Sequence, residues 1–485
     1  MAGSLNMKLD ELIEKLAAEE YGIDAFMVWK KGNVVAKGYR RPFRAGDMHQ
    51  LFSVTKSFTS VAVGILMDEG RLSLDDRIVT FFPEYLPFGA SENMSLVTIR
   101  DLLTMTAGFD EAPDDLKRHI YGEYVNDFPY SYRKRYKSEK ISWVRDFLHT
   151  YVDNRPGDRF VYSDACSLML SAVVQKITGV TTKEFLDEKV FSRLGIHDVH
   201  WQVSPDGIST GGWGIKLDLD SLLRFGQMIL HKGEYNGERI ISPSYIEDMG
   251  SAHIPTGASR NSVERNFGYQ TWILGEQGIF GGIGAFGQMY IVYPEADMVY
   301  VQFGSSARYM KTLGLLVNEL PEVIEGLECT GCRTYDLDPY GGTGSVPDGE
   351  TLRAVNGKGY IFSQNLYGIE KVGFQVSGDR LDISFTVDGR TSCVRCGFTG
   401  FCYSDLDVKE DESTDIHNAL LFRKVASRIC MTGGKIGILL DFYETGYKVN
   451  MGLEPLKHGI RIEMKRNLGF IPDANNCVMI GVLDE

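Results

Sequence analysis

One stretch constrains this chain more than any other: Leu51-Phe-Ser-Val-Thr-Lys-Ser-Phe-Thr-Ser-Val-Ala-Val-Gly-Ile-Leu-Met-Asp-Glu-Gly70. Phe58, Val61, Ala62, Val63, Ile65, Leu66 and Met67 leave almost no polar face, so the run predicts a buried helix with Gly70 closing its C-terminus. A buried helix has no ordinary use for Lys56, because an ammonium without a partner is expensive to take out of water. Ser53 lies three residues earlier, at the start of the helix, where i, i+3 spacing sets the two side chains on one face and the helix dipole favours developing negative charge. A hydroxyl beside an amine is a nucleophile beside a base. The bland alternative, an N-cap serine with a surface lysine, conflicts with the apolar character of the run.

A second element supplies partners for that pair. Arg155-Pro-Gly-Asp-Arg-Phe-Val-Tyr162-Ser163-Asp164 opens with a Pro-Gly turn and ends in a polar triplet. Leu168, Leu170, Val173 and Val174 then predict another buried helix, closed at Thr178-Gly179. Tyr162 has two readings: a core tyrosine with a satisfied hydroxyl, or a proton-transfer group held against Ser53 and Lys56.

A third element is the glycine-rich run Phe280 to Gly304. Gly282-x-Gly284-x-x-Gly287 fits a dinucleotide-binding pattern in isolation, but the strand-like Met289–Tyr293 follows it where that pattern needs a helix. Two strands joined by a turn from Pro294 to Asp297 fit better. Glycines on an edge strand allow close approach of a ligand, and an N–H there completes an oxyanion hole with that of Ser53.

The order S-x-x-K, then P-G-x-x-F-x-Y-S, then a glycine-rich strand ending Gly-Gln resembles the serine β-lactamase-like hydrolases: class C β-lactamases, penicillin-binding D,D-peptidases, D-aminopeptidases and related esterases and amidases. Leu72–Pro83, Val97–Gly108, Phe191–Ile196 and Gly211-Gly-Trp-Gly-Ile215 carry the likeness between the motifs, over roughly residues 15 to 320. The resemblance implies an α/β catalytic domain of antiparallel sheet plus helical subdomain and no cofactor. It makes Ser53 the acylated nucleophile, gives proton transfer to Lys56 and Tyr162, and sets the oxyanion on the backbone N–H groups of Ser53 and Ala285. Two departures stand out. The family usually places Lys or His two residues before a glycine in its third motif, and here Gly282-Ile283-Gly284 has no cation, which weakens any reading built on a substrate carboxylate. Asp164 stands where the family more often has Asn or Ser; it either accepts a hydrogen bond from Lys56 or turns away to cap its helix.

The 485 residues allow two or three domains, read as a catalytic domain over 1–325, a linker over 326–350 and a β-rich barrel or sandwich over 351–485. In the last, Leu381, Ile383, Phe385 and Val387 alternate onto one face before an Asp-Gly turn. Covering the cleft, joining copies of the chain into a homo-oligomer and simple stabilisation are its open roles. Residues 21–39 predict a hairpin that begins the catalytic sheet, and 265–305 return to complete it. A net charge of −14 argues against a nucleic-acid partner or an anionic membrane surface, despite the basic-aromatic interleaving of Lys117–Lys140, which reads better as a loop or lid. The N-terminus has no apolar core of a leader and no run is long enough to span a membrane, so cytoplasmic residence is expected. Cys329-x-x-Cys332 and Cys393-x-x-Cys396 form two C-x-x-C units, too far apart for an ordinary zinc ribbon; reduced structural thiols and no metal are expected, with His197 and His200 in a loop.

The expected protein is a serine hydrolase acting on an amide or ester of a small molecule or short peptide. A β-lactamase or penicillin-binding protein proper is the enzymatic rival, disfavoured by Gly282, and a non-catalytic binding module that kept the fold is the third reading.

Overall fold

The computed structural model describes residues 2–112, 142–325, 331–338 and 349–484, apart from 205, 260–261, 276–277, 366–367, 388, 407–423, 433–434 and 468–475. The segment Lys117–Lys140 and Cys329 lie outside the described residues.

Ile23–Lys30 and Asn33–Tyr39 form the expected hairpin, turning at Lys31-Gly32, both at positive φ. Met298–Gly304 pairs antiparallel with Ile23–Lys30, followed outward by Gln288–Tyr293, Ile279–Gly284, Trp272–Leu274, Asn266–Phe267 and Ile254–Pro255. Arg333–Asp336, from the stretch 326–350, adds to the opposite edge parallel to Asn33–Tyr39 and brings the sheet to nine strands among the described residues. Alternation divides the central strands between two cores. Tyr290 and Val292 face the helical subdomain, while Met289, Ile291 and Tyr293 face the helices Ala2–Ala17 and Tyr309–Asn318.

Between the hairpin and the returning strands lies the helical block. Helix Thr55–Asp68 is buried over its first twelve residues. It ends as its sequence predicts, with Gly70 at φ 66° and the N–H groups of Gly70 and Arg71 closing on the carbonyls of Met67 and Leu66. Helix Asp164–Thr178 packs beside it and stops at left-handed Gly179. Helix Leu219–Leu230 lies on the sheet, where Gly226 permits contact: a Cβ there stands 2.7 Å from Val299 Cγ1.

The C-terminal sheet is a barrel, not a sandwich. Among the described residues nine strands follow one another from Arg390–Gly397 through to Lys424–Thr432, and the ring closes where Gly397 pairs with Arg428; Cys402–Asp405 lies alongside as a tenth. Closure removes the long open edges that a free sheet exposes. Leu381 and Ile383 are fully buried inside, with Phe385 and Val387 packed against the same core. Outside, Ile361, Val478, Ile480 and Val482 are exposed as a contiguous apolar strip on two paired strands.

Candidate active site

Ser53 sits on a tight single turn, Phe52–Val54, that runs directly into helix Thr55–Asp68. The turn is entered through Phe52 in the left-handed region (φ 48°), which leaves Ser53 only half-buried on the cleft wall. One turn further, Lys56 is 2% exposed, and all three of its ammonium protons have acceptors. Its Nζ donates to Ser53 Oγ at 3.1 Å, to the Gly212 carbonyl at 2.8 Å and to Asp164 Oδ1. Burial alone pulls the Lys56 pKa down, but the adjoining Asp164 carboxylate, with Tyr162 beside it, prevails and holds it above the ordinary lysine value. Asp164 therefore faces Lys56, which excludes the alternative of a side chain turned away. The helix it opens has Ser163 as N-cap, without a side-chain cap.

Tyr162 is placed by its ring. The indole of Trp272 stacks on it (centroids 5.7 Å apart, planes 17° apart), the Phe267 ring meets it edge-on, and Lys56 Nζ lies 4.8 Å from its centroid. Burial raises the Tyr162 phenol pKa, Lys56 and Ser53 both pull it downward and Asp164 reinforces the rise, so the net direction is upward. The loop bearing Tyr162 is pinned from below, the Val161 N–H donating to the Met105 carbonyl at 2.9 Å.

Gly212 is the member of this cluster that the sequence reading did not assign. Gly211 has φ 68°, and a Cβ on it stands 2.2 Å from the Ser167 carbonyl oxygen; only glycine lets the loop lie this close to helix Asp164–Thr178. The Thr59 hydroxyl holds the Gly211 carbonyl at 2.7 Å, which leaves the next carbonyl aimed at Lys56. The signal was present in Gly211-Gly-Trp-Gly, but a backbone acceptor carries no side-chain signature.

On the opposite wall, Ile279–Gly284 is not the edge strand expected from its glycines. It runs between Gln288–Tyr293 and Trp272–Leu274, yet Gly281 is the last residue to face the latter, so Gly282–Gly284 have a strand partner on one side only. The missing cation at Gly282 has a physical reason. A Cβ there stands 2.5 Å from the Tyr290 ring and 3.1 Å from Ser57 Oγ, so the space is filled by a buried tyrosine from the neighbouring strand. At Gly284 a Cβ stands 2.3 Å from the Leu51 carbonyl oxygen and 3.3 Å from Phe52 Cβ. The strand end thus abuts the turn that carries Ser53, and Ala285 follows at once in the single turn Ala285–Gly287.

Among the described residues, no group of three or more His, Cys, Asp or Glu side chains is placed to hold a metal. Cys332 and Cys393 are exposed and Cys396 is buried, while His200 belongs to a short strand, His200–Trp201, rather than to a loop. No helix among the described residues is long and apolar enough to cross a membrane.

Fold and site together define a serine hydrolase of the β-lactamase type. The Beta-lactamase family matches residues 9–310, and the chain belongs to that family. It is 28% identical over 309 residues to the 6-aminohexanoate-dimer hydrolase of Paenarthrobacter ureafaciens, spanning 62% of this chain and 77% of that protein. It is 29% identical over 214 residues to esterase EstB of Burkholderia gladioli, spanning 41% of this chain and 52% of that one. The octameric penicillin-binding protein homologue of Pyrococcus abyssi shares the fold over 98% of this chain and 99% of its own, with a TM-score of 0.50 and 18% identity. That likeness extends through the barrel.

Proposed function

We propose that Ser53 is the nucleophile of an acyl-enzyme mechanism that cleaves a small amide or ester. The observation that carries this reading is the triple bonding of Lys56 to Ser53, Asp164 and Gly212, which holds a buried amine against a reachable hydroxyl. Once the Lys56–Tyr162 pair has lost a proton to solvent, Ser53 Oγ attacks the substrate carbonyl carbon and its own proton passes to that pair. The carbonyl π electrons move onto oxygen, which the N–H groups of Ser53 and Ala285 stabilise. Collapse expels the amine or alkoxide, which takes a proton from Tyr162, and water repeats the sequence on the ester formed with Ser53.

Peptidase- or amidase-like action is preferred over esterase action, supported by the amide-cleaving name of the 6-aminohexanoate-dimer relative; EstB supports the ester alternative. The filled space at Gly282 favours substrates without a carboxylate next to the scissile bond, against a β-lactamase proper. A binding module is disfavoured by the complete Ser53–Lys56–Tyr162 set. Residence in the cytoplasm, with neither nucleic acid nor membrane as partner, accords with the acidic charge. We place the hydrolase in 1–325 and an accessory barrel in 351–485, whose exposed strip at Ile361, Val478, Ile480 and Val482 is the candidate contact between copies.

Intact-mass spectrometry after treatment with a fluorophosphonate tests the core of this reading. One adduct is expected on the native chain and none on Ser53→Ala. An adduct mapped to another residue overturns the assignment.

A further inference from the structure

The two amides assigned to the oxyanion, those of Ser53 and Ala285, each adjoin a phenylalanine with a left-handed backbone: Phe52 at φ 48° and Phe286 at φ 64°, ψ 1°. Non-glycine residues hold such a conformation only where their surroundings over-determine it. Part of those surroundings comes from the barrel. Phe52 and Phe286 lie 5.4 Å apart by ring centroid, and Tyr447 stands at 6.1 Å from the first and 5.0 Å from the second, nearly perpendicular to both. All three are at most 3% exposed, and they belong to the core of the barrel, not to that of the hydrolase domain.

The backbone beside Tyr447 is fitted as closely. A Cβ on Gly446 stands 2.6 Å from Phe286 Cβ, so the barrel turn touches this residue with its bare backbone. Three polar contacts lock the turn to the hydrolase domain. The Gln50 N–H donates to the Glu444 carbonyl at 2.7 Å, Asn467 Nδ2 donates to the carbonyls of Ser305 and Gly446 at 2.7 Å each, and Lys448 pairs with Asp24 at 2.9 Å. The turn therefore has a fixed register against the segments that precede Ser53 and follow Ala285.

We propose that Tyr447, on the barrel, is a positioning residue of the oxyanion hole. Its ring packs edge-on against both Phe52 and Phe286, which also touch each other, and so fixes the directions of the Ser53 and Ala285 N–H groups. The proposal rests on the acyl-enzyme reading given above and extends it: the barrel is part of the catalytic apparatus, acting from behind the site without touching substrate.

The test is steady-state hydrolysis of p-nitrophenyl butyrate by the full chain and its variants. Tyr447→Ala is expected to lower kcat by roughly 10- to 100-fold with KM within about twofold, less than the loss from deleting an oxyanion donor outright. Tyr447→Phe keeps the ring and is expected to retain most of the native rate. Gly446→Ala pushes on Phe286 from the same side and is expected to lower kcat without Tyr447 being changed, which covers the case of a Tyr447→Ala chain that fails to fold. Ile462→Val, elsewhere in the barrel core, removes a methylene and is expected to leave kcat unchanged.

A native kcat in folded Tyr447→Ala, or in Gly446→Ala, overturns the proposal. An equal loss of kcat in Ile462→Val overturns it too, since general loosening of the barrel then suffices. These outcomes are separate from failure of the underlying reading, which shows as turnover surviving in Ser53→Ala.

Discussion

The two walls of the cleft are built on opposite electrostatic plans. On the helical wall, Lys56 and Asp164 form a buried ion pair with a backbone carbonyl and a hydroxyl completing the ammonium's needs. On the strand wall, Gly282-Ile283-Gly284 offers backbone alone, and an aromatic ring stands where a recognition cation would be rooted. Charge is concentrated where bonds are broken and is missing from the facing strand, where a substrate carboxylate would be gripped. Desolvating an ion pair is costly, and the full set of partners around Lys56 offsets that cost on the helical wall.

The largest effect expected from breaking this arrangement is on the helical wall. Lys56→Met keeps the volume, removes the amine and is expected to reduce turnover by roughly 10³-fold, within the range of lost acid–base catalysis. It also strands the Asp164 carboxylate, so thermal stability falls. Adding Asp164→Asn is expected to recover stability and not activity, because the amide needs no counter-ion. Recovery of both would show that Lys56 serves the fold alone.

On the strand wall, benzylpenicillin should be a poor substrate, with kcat/KM well below about 10⁵ M⁻¹s⁻¹, against which a competent hydrolase is measured. Introducing the missing cation as Gly282→Lys should not repair this, since its Cβ meets the Tyr290 ring before the side chain can extend. Efficient turnover of penicillin by the native chain would erase the contrast between the walls.

A subtler change lies in the pH profile. Lys56 and Tyr162 are both held above their ordinary values, with Asp164 raising each. A base with a raised pKa carries its proton at neutral pH, so kcat/KM should still be rising above pH 7. In Asp164→Asn that raising influence is gone while burial continues to favour the neutral amine, so the limb moves to lower pH. A profile that stays in place would mean that neither group sets the limb.

Much of this site was legible in the sequence, for identifiable reasons. Lys56 announces itself, with Ser53 beside it, because an ammonium conflicts with the apolar run around it, whereas Tyr162 is legible from the polar triplet before the next buried helix. Both helices and their glycine stops followed from periodicity and from residues that tolerate positive φ. What escaped was whatever depends on non-local packing. Gly212 acts through its carbonyl, the edge expected at Gly282 is covered up to Gly281 by a three-residue strand, and closure of the barrel brings together strands distant in sequence, as at Gly397 and Arg428. The docking of Tyr447 against Phe52 joins positions 395 residues apart, and no local pattern encodes such a contact.

The smallest expected effects separate two kinds of glycine and so refine what the strand wall is for. Gly282 has ordinary neighbours in an antiparallel strand and no positive φ, but a methyl group there must displace the Tyr290 ring. Gly282→Ala should therefore cost about 1–3 kcal/mol as overpacking and perturb catalysis, since the same methyl group also crowds Ser57 on the helix that carries Lys56. Gly70 is the converse: open space surrounds its Cβ position, yet its φ is 66°. Gly70→Ala should cost only about 1 kcal/mol, from backbone strain alone, and leave kcat and KM untouched because it sits at the far end of the helix from Ser53. Denaturant unfolding with parallel ester kinetics distinguishes them. If Gly282→Ala behaved like Gly70→Ala, losing a little stability and no activity, the tyrosine ring would be free to yield, and the absence of a cation at Gly282 would need a cause other than steric exclusion.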